Sequence, residues 1–160
     1  MKFVGIDVGV TGAMAFVDQQ GHYQEVFDLP VELVRYAEKG KEHTRLDVRR
    51  FVHYLAFVGC QDVVVTELLW ANSSNGALAS FGLGKTFGAV ESSLTWHCAA
   101  TKHFVSPLKW KNHFRLGKDK KAALRTARAL FPDAPLHLEQ HHNRAEALLI
   151  ARYGSEVYRR

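Results

Sequence analysis

The sequence predicts a single α/β domain over residues 1–160, in which helices cover a five-stranded mixed sheet whose first three strands are antiparallel. Its 160 residues suit one domain, at roughly 100–200 residues per domain. Hydrophobic residues make up 47% and charged residues 23%, which is typical of globular proteins and unlike disordered chains. Short β-branched runs alternate with segments of helical periodicity, and the resulting order βββαβαβααα indicates an α/β architecture.

The first three strands are predicted to form an antiparallel meander. Residues 2–8 are a short apolar run that suits a buried strand, and Gly9 and Gly12 mark a tight turn after it. Residues 13–17 and 22–27 follow as two further strands, because a polar stretch containing glycine separates them as in a hairpin.

The middle of the chain alternates between helices and strands. A helix is predicted over residues 45–57, with its apolar residues on one face. The β-branched run at 62–67 predicts a fourth strand that ends on an acid. After a polar loop at 72–76, small and apolar residues at helical spacing predict a helix over 77–97, whose glycines permit close approach of a neighbour.

The last third of the chain is predicted to be mostly helical. A fifth strand over 100–105 ends at a Ser-Pro pair. Two basic helices follow at 107–115 and 119–130, and the second stops before Pro132. The final helix, over 143–153, has an apolar face.

Composition also excludes several classes of protein. No stretch reaches the roughly 18 uncharged apolar residues of a membrane span, and the first residues lack a signal-peptide pattern. Cys60 and Cys98 show no CxxC spacing, so neither a disulfide framework nor a cysteine zinc site is supported. We therefore expect a protein of the reducing cytoplasm that has no membrane partner.

Positive charge is concentrated in one part of the chain. Residues 102–128 hold nine Lys or Arg and one acid, a net charge of +8, whereas the whole chain carries only +5. Such a segment attracts polyanions, because neutralised phosphates release their counterions. Nucleic acid is the expected partner, and the alternative is a solvated helix face that happens to be basic.

Three acids occupy unusual places in the predicted elements. Asp7 lies within an apolar strand, Glu67 ends another, and Glu146 lies on the last helix. Buried carboxylates are costly unless they are paired, hydrogen-bonded or bound to a cation. Helix caps or structural salt bridges would explain any one of them. Together they favour a site for Mg²⁺ or Mn²⁺, hard ions that prefer oxygen ligands.

Five motifs in this order resemble those of RuvC-type Holliday-junction resolvases, and most resemble their phage-borne relatives. They are GIDVGVTGA at 5–13, VVTE at 64–67, FGLGKTFG at 81–88, SPLKWK at 106–111 and HNRAEALLIA at 142–151. The resemblance implies an RNase H-like fold and a homodimer that cuts four-way DNA junctions with Mg²⁺ or Mn²⁺, two ions per active site. It also implies symmetric paired nicks that leave 5′-phosphate and 3′-hydroxyl ends.

The resemblance places metal ligation and catalysis on Asp7, Glu67 and Glu146. In the family a fourth ligand comes from the start of the last helix, where a carboxylate is frequent and this chain has His141 or Asn143. His142 lies one helical turn before Glu146 and would share its face. We expect His142 to be the fourth ligand, with Asn143 as the second choice.

The resemblance and the charge pattern also predict DNA contacts. Trp70 would stack on unpaired bases at the junction centre, unless it is a packing residue. Arg144 would hold the scissile phosphate or balance the charge of the acids. The other predicted contacts, all to phosphates, are Lys85, Lys109, Lys111, Lys118, Lys120, Lys121 and Arg125. The helix at 77–97 forms either the dimer face or part of the core.

Other functions compete with junction resolution. The same metal site would serve a broader nuclease acting on flaps, forks or RNA strands, because fold does not determine function. A non-catalytic junction-binding protein would need the basic helices without the acids. The length argues against an actin-like or sugar-kinase phosphotransferase, because such a protein needs a second copy of the domain around a nucleotide cleft, and we expect no nucleotide cofactor.

Overall fold

The computed structural model describes residues 1–35, 40, 42–70, 76–117, 119 and 121–159. Within these residues seven strands and five α-helices are present, and a single 3₁₀ turn over Glu139–His141 precedes the last helix. The strands are β1 (Lys2–Asp7), β2 (Ala13–Asp18), β3 (Tyr23–Asp28), β4 (Val31–Arg35), β5 (Glu42–Leu46), β6 (Val63–Glu67) and β7 (Thr101–Val105). The helices are α1 (Val48–Leu55), α2 (Ala77–His97), α3 (Pro107–His113), α4 (Ala122–Leu130) and α5 (His142–Val157).

Five of these strands form one mixed sheet in the order β3-β2-β1-β6-β7. The first three strands are antiparallel, while β6 and β7 run parallel to β1. The predicted fold class is therefore confirmed. The carboxyl ends of β1, β6 and β7 share one edge of the sheet, which is where ligands commonly bind to parallel strands.

Alternation along the strands divides the apolar core between the two faces of the sheet. Phe3 and Val65 pack into a cluster with residues of α3, α4 and α5. Val4 and Ile6 point the other way, into a second cluster with α1 and α2. Helices cover both clusters, because buried strands of this kind expose neither face to water.

α5 crosses the sheet at very short range because glycines face it. A Cβ added to Gly5 would overlap the backbone of Ala147 and Ala151. Further along the helix, Gly154 lies against Phe3 and Val65, where an added Cβ would come within 2.7 Å of a Val65 methyl. The helix therefore runs antiparallel to β1, and its first turn lies at the carboxyl edge of the sheet.

One predicted helix begins too early, and a hairpin was missed. We predicted residues 45 and 46 to be helical, but they belong to β5. This strand pairs with β4 in a separate two-stranded sheet. α1 begins only after Asp47, whose side chain caps it by accepting a hydrogen bond from the Arg50 amide at 3.0 Å. Arg45 meanwhile pairs with Glu32 across the hairpin at 2.7 Å, a non-local contact that helical periodicity does not reveal.

The other predicted boundaries differ by smaller amounts. α5 continues through Gly154 to Val157, because this glycine packs against the sheet and does not end the helix. α4 begins at Ala122, three residues later than predicted. Most of the predicted loop at 72–76 lies outside the described residues. None of the described helices combines the length and apolar character needed to cross a membrane. Both cysteines are free thiols.

Candidate active site

Asp7 and Glu67 lie side by side at the carboxyl ends of two neighbouring parallel strands. The register pairs Gly5 with Val65 and Ile6 with Thr66, so the two acids follow as the next pair. Alternation directs both side chains to the face covered by α5. Each residue is only 7% exposed.

Glu146 joins these two acids from α5. Glu146 directly precedes Ala147, and the Ala147 carbonyl lies over Gly5. Gly5 is two residues before Asp7 in β1, so both lie on the same face of the strand. At this place the charge of Glu146 raises the pKa of both Asp7 and Glu67. The acids that the sequence separates by 60 and 79 positions thus converge at one edge of the sheet.

The protein environment disfavours negative charge at this cluster. Burial raises the pKa of Asp7 well above its ordinary value, and repulsion by Glu146 and then Glu67 raises it further. Burial also raises the pKa of Glu67, opposed by a hydrogen bond from Trp110, while the charge of Glu146 adds to the rise. A group of acids whose ionised form is this costly is a common property of functional sites, and a bound cation would relieve the cost.

α3 supplies two groups that hold the acids. The indole Nε1 of Trp110 donates a hydrogen bond of 2.9 Å to Glu67 Oε1, and the Trp110 side chain is completely buried. Lys111 Nζ lies 3.2 Å from Glu146 Oε1 and 4.9 Å from the centre of the Trp110 ring. Sequence reasoning assigned Lys111 to DNA and gave Trp110 no role. The sequence did contain a signal for this contact, because a tryptophan that is buried on folding needs a hydrogen-bond acceptor for its indole N–H.

The chemistry of the donors fits a hard divalent cation. Asp7, Glu67 and Glu146 offer only carboxylate oxygens, the ligands that Mg²⁺ and Mn²⁺ prefer. Across the described part of the chain, however, no group of three His, Cys, Asp or Glu side chains is arranged to hold an ion. Glu146 is instead directed to Lys111.

The start of α5 does not direct its polar side chains to the acids. His142 is exposed, and Asn143 donates its amide hydrogens to the carbonyl and hydroxyl oxygens of Thr11, in the turn between β1 and β2. His141 is buried, and loss of solvation together with the charge of Arg144 lowers its pKa. Among the described contacts no hydrogen bond or ion pair joins these three side chains to the acids. The fourth ligand stays a prediction.

Arg144 has a partner that sequence reasoning did not find. Its guanidinium forms two hydrogen bonds to the carboxylate of Asp28 at the end of β3, at 2.6 and 2.5 Å. These bonds lower the pKa of Asp28. The charge that Arg144 balances is therefore that of Asp28, while its contact with a phosphate stays a prediction.

The predicted DNA-contacting residues differ in their surroundings. Trp70 is 73% exposed just beyond β6, so it does not pack into the core. Lys85 and Lys109 are also exposed. Lys121 pairs with Glu139 at 3.2 Å and Arg125 with Asp119 at 2.6 Å, all on the surface. Lys118 and Lys120 lie outside the described residues.

Two solved structures of Thermus thermophilus RuvC resemble this chain over its whole length. The first, RuvC in complex with a Holliday junction substrate, has a TM-score of 0.60 and 16% sequence identity, and the match covers 99% of this chain and 96% of that one. The second, a structure of RuvC, has a TM-score of 0.55 and 19% identity, with the same coverage of 99% and 96%. No protein-family model matches the chain, and no curated protein does so either. The likeness in structure, together with the strand order, establishes a RuvC-like fold of the RNase H type.

Proposed function

We propose that the protein is a metal-dependent, structure-selective endonuclease that resolves four-way DNA junctions. The observation that carries this proposal is the convergence of Asp7, Glu67 and Glu146 at the carboxyl edge of a RuvC-like sheet. One of the Thermus thermophilus RuvC structures was solved in complex with a Holliday junction substrate, which supports branched DNA as the partner. The phage-like branch and a role in DNA recombination or repair in the cytoplasm belong to this proposal and depend on the sequence motifs.

In this mechanism Asp7, Glu67 and Glu146 would hold two Mg²⁺ or Mn²⁺ ions, with His142 or Asn143 as the additional ligand. Such ions would supply activation of a water molecule for attack on a phosphodiester and stabilisation of the departing 3′ oxygen. Trp110 fixes the orientation of Glu67 through its indole hydrogen bond. Because the attack occurs at phosphorus and the 3′ oxygen departs, the products carry 5′-phosphate and 3′-hydroxyl ends.

DNA binding is proposed along the basic segment and beside the acids. Lys109, Lys111, Lys118, Lys120, Lys121 and Arg125 contact phosphates, and Lys85 and Arg144 add further contacts. Trp70 stacks on an unpaired base, and its 73% exposure supports this role because the indole is available to a partner. Phosphate contacts position the DNA without selecting its sequence.

A homodimer is proposed because two symmetric nicks need two active sites at a fixed separation. α2 supports this arrangement. Thr86, Val90 and Leu94 are buried against the domain, whereas Leu78, Phe81 and Trp96 are 85%, 67% and 82% exposed. Gly82, Gly84 and Gly88 have open space where a side chain would be, which would allow a second helix to approach closely. Mass measurement by light scattering of wild type and Phe81→Glu tests this, since a monomer in both would contradict it.

The test of the function is cleavage of a synthetic immobile four-way junction. A fork, a linear duplex and an RNA–DNA hybrid are compared with it, each in Mg²⁺, Mn²⁺ or chelator. Wild type should give paired symmetric nicks in the junction only when metal is present. Asp7→Asn, Glu67→Gln and Glu146→Gln should each abolish cleavage and leave junction binding intact, whereas Asp133→Asn, at an exposed position, should cut normally.

Two other results would change the assignment. Equal cutting of the fork, a flap or the hybrid would indicate a broader branched-DNA or RNase H-like nuclease. Tight junction binding without cleavage in either metal would indicate a non-catalytic junction-binding protein.

A further inference from the structure

Lys111 brings a positive charge to the acid cluster. Its ammonium lies 3.2 Å from Glu146 Oε1, and the two side chains are only 35% and 21% exposed. The same charge lowers the pKa of Asp7 and of Glu67, against the larger effect of burial. Lys111 therefore acts electrostatically on all three proposed metal ligands.

The surroundings of Lys111 anchor its helix, whereas its ammonium lies at the end of a flexible side chain. The neighbouring Trp110 is completely buried and is tied to Glu67 by its indole hydrogen bond, which anchors α3 beside the acids. The Lys111 ammonium lies 4.9 Å from the centre of the Trp110 ring, at the end of a flexible four-carbon stem. It can therefore leave Glu146 without any change in the position of the helix.

We propose that Lys111 is a built-in counter-ion that neutralises Glu146 when no divalent cation is bound and competes with that cation for the carboxylate. The inference rests on the proposed function, because the divalent cation belongs to the proposed nuclease site. It explains why Glu146 is directed to Lys111 and why the three acids, as described, are not arranged to hold an ion. Once a cation holds Glu146, the Lys111 ammonium becomes available to a DNA phosphate.

Two opposite effects follow from removing this charge. The metal-free protein loses the neutralising partner of Glu146 and becomes less stable. The metal-binding site loses both a competitor and a nearby repelling charge, so it binds divalent cations more tightly. Because charges at such separations interact strongly in a partly buried site, we expect the dissociation constant for Mn²⁺ to fall about tenfold or more.

The experiment uses the full chain without DNA and Mn²⁺ alone as the probe. Titration calorimetry measures the Mn²⁺ dissociation constant, and thermal unfolding in chelator measures the stability of the metal-free protein. The variants are Lys111→Met, which keeps the length of the side chain without its charge, and Lys111→Arg, which keeps the charge. Lys109→Met is the matched control, since it removes an exposed lysine from the same helix.

Tighter Mn²⁺ binding and a lower unfolding temperature in chelator for Lys111→Met alone would support the proposal. Equal or weaker Mn²⁺ binding than wild type would overturn it and leave the proposed nuclease intact. If neither wild type nor any variant binds Mn²⁺, the metal site itself is contradicted, and the proposed function fails with the inference. Should Lys111→Met not fold, as judged by circular dichroism, Lys111→Gln takes its place with the same expected outcomes.

Discussion

Replacing Asp7 by Asn should make the metal-free protein more stable while removing its proposed activity. Asp7 is 7% exposed, and burial together with the charges of Glu146 and Glu67 raises its pKa well above its ordinary value of 3.8. An amide of nearly the same shape carries no charge, so it avoids both the desolvation and the repulsion. Active sites commonly keep such destabilising groups because function requires them.

The expected magnitude follows from the burial. We take the cost of keeping a charge at this buried site, which the amide avoids, to be of the order of the desolvation penalty of one buried polar group, about 1–3 kcal/mol. In a protein of this size, each kcal/mol changes the unfolding temperature by about 2–4 °C. The Asp7→Asn variant should therefore unfold about 2–12 °C above wild type in chelator at neutral pH.

The pH dependence provides a sharper test because its sign is determined by the raised pKa. Below the ordinary pKa, Asp7 is protonated in both the folded and the unfolded protein, so the substitution changes little. Between the ordinary pKa and the raised pKa, the unfolded wild type releases its proton while the folded wild type keeps it, so the wild type loses stability that the variant retains. Above the raised pKa both states are ionised and the loss is complete. The difference between the two proteins should therefore grow from pH 4 upward and then level off.

The assay is thermal unfolding in chelator at intervals of pH, with Asp133→Asn as the control at an exposed position. Addition of Mn²⁺ should reduce the difference, because a ligand that binds only the folded wild type stabilises it. A variant less stable than wild type at pH 8, or a difference that does not vary with pH, would refute the reasoning.

Three further predictions concern the site and its surroundings. Gly5→Ala should push α5 away from β1, lower the free energy of unfolding by about 1–3 kcal/mol in urea titrations and reduce cleavage; unchanged stability would contradict the close helix crossing. Trp110→Phe should leave a smaller apolar side chain in the core and lose the hydrogen bond to Glu67, with cleavage about 10–100-fold slower in single-turnover assays; wild-type rates would show that this bond has no role. Arg144→Ala should weaken junction binding in titrations, whereas Asp28→Ala should not. Both variants lose the same surface ion pair, which is worth less than about 1 kcal/mol. Equal effects of the two substitutions would therefore remove Arg144 from the DNA interface.

The parts of the fold that the sequence predicted are those with strong local patterns. The β-branched run before Glu67 and the apolar run around Asp7 each indicated a buried strand, and both strands are present. The long helix α2 was predicted over the same residues, 77–97, because its apolar residues recur at helical spacing.

The hairpin of β4 and β5 was missed because little in its own sequence indicates it. Its ten residues are mostly exposed, so they show no buried apolar face. The hairpin depends on pairing between residues up to fifteen positions apart, such as Val31 with Leu46, and on the Glu32–Arg45 ion pair. Strands without a buried face have weakly specified pairing in general.

The sequence by itself determined the order of the central strands and helices, the concentration of positive charge, and the three acids that a folded chain cannot bury without a partner. Only the tertiary structure decided that these acids lie close together and that Trp110 and Lys111 bind two of them. It also decided that Asn143 donates a hydrogen bond to Thr11 and that Arg144 pairs with Asp28. The physical reason is range. Propensity and periodicity act between near neighbours in the sequence. Strand register and the α5 crossing at Gly5 arise only when the whole core packs. The same is true of the contact between Thr11 and Asn143, which are 132 positions apart.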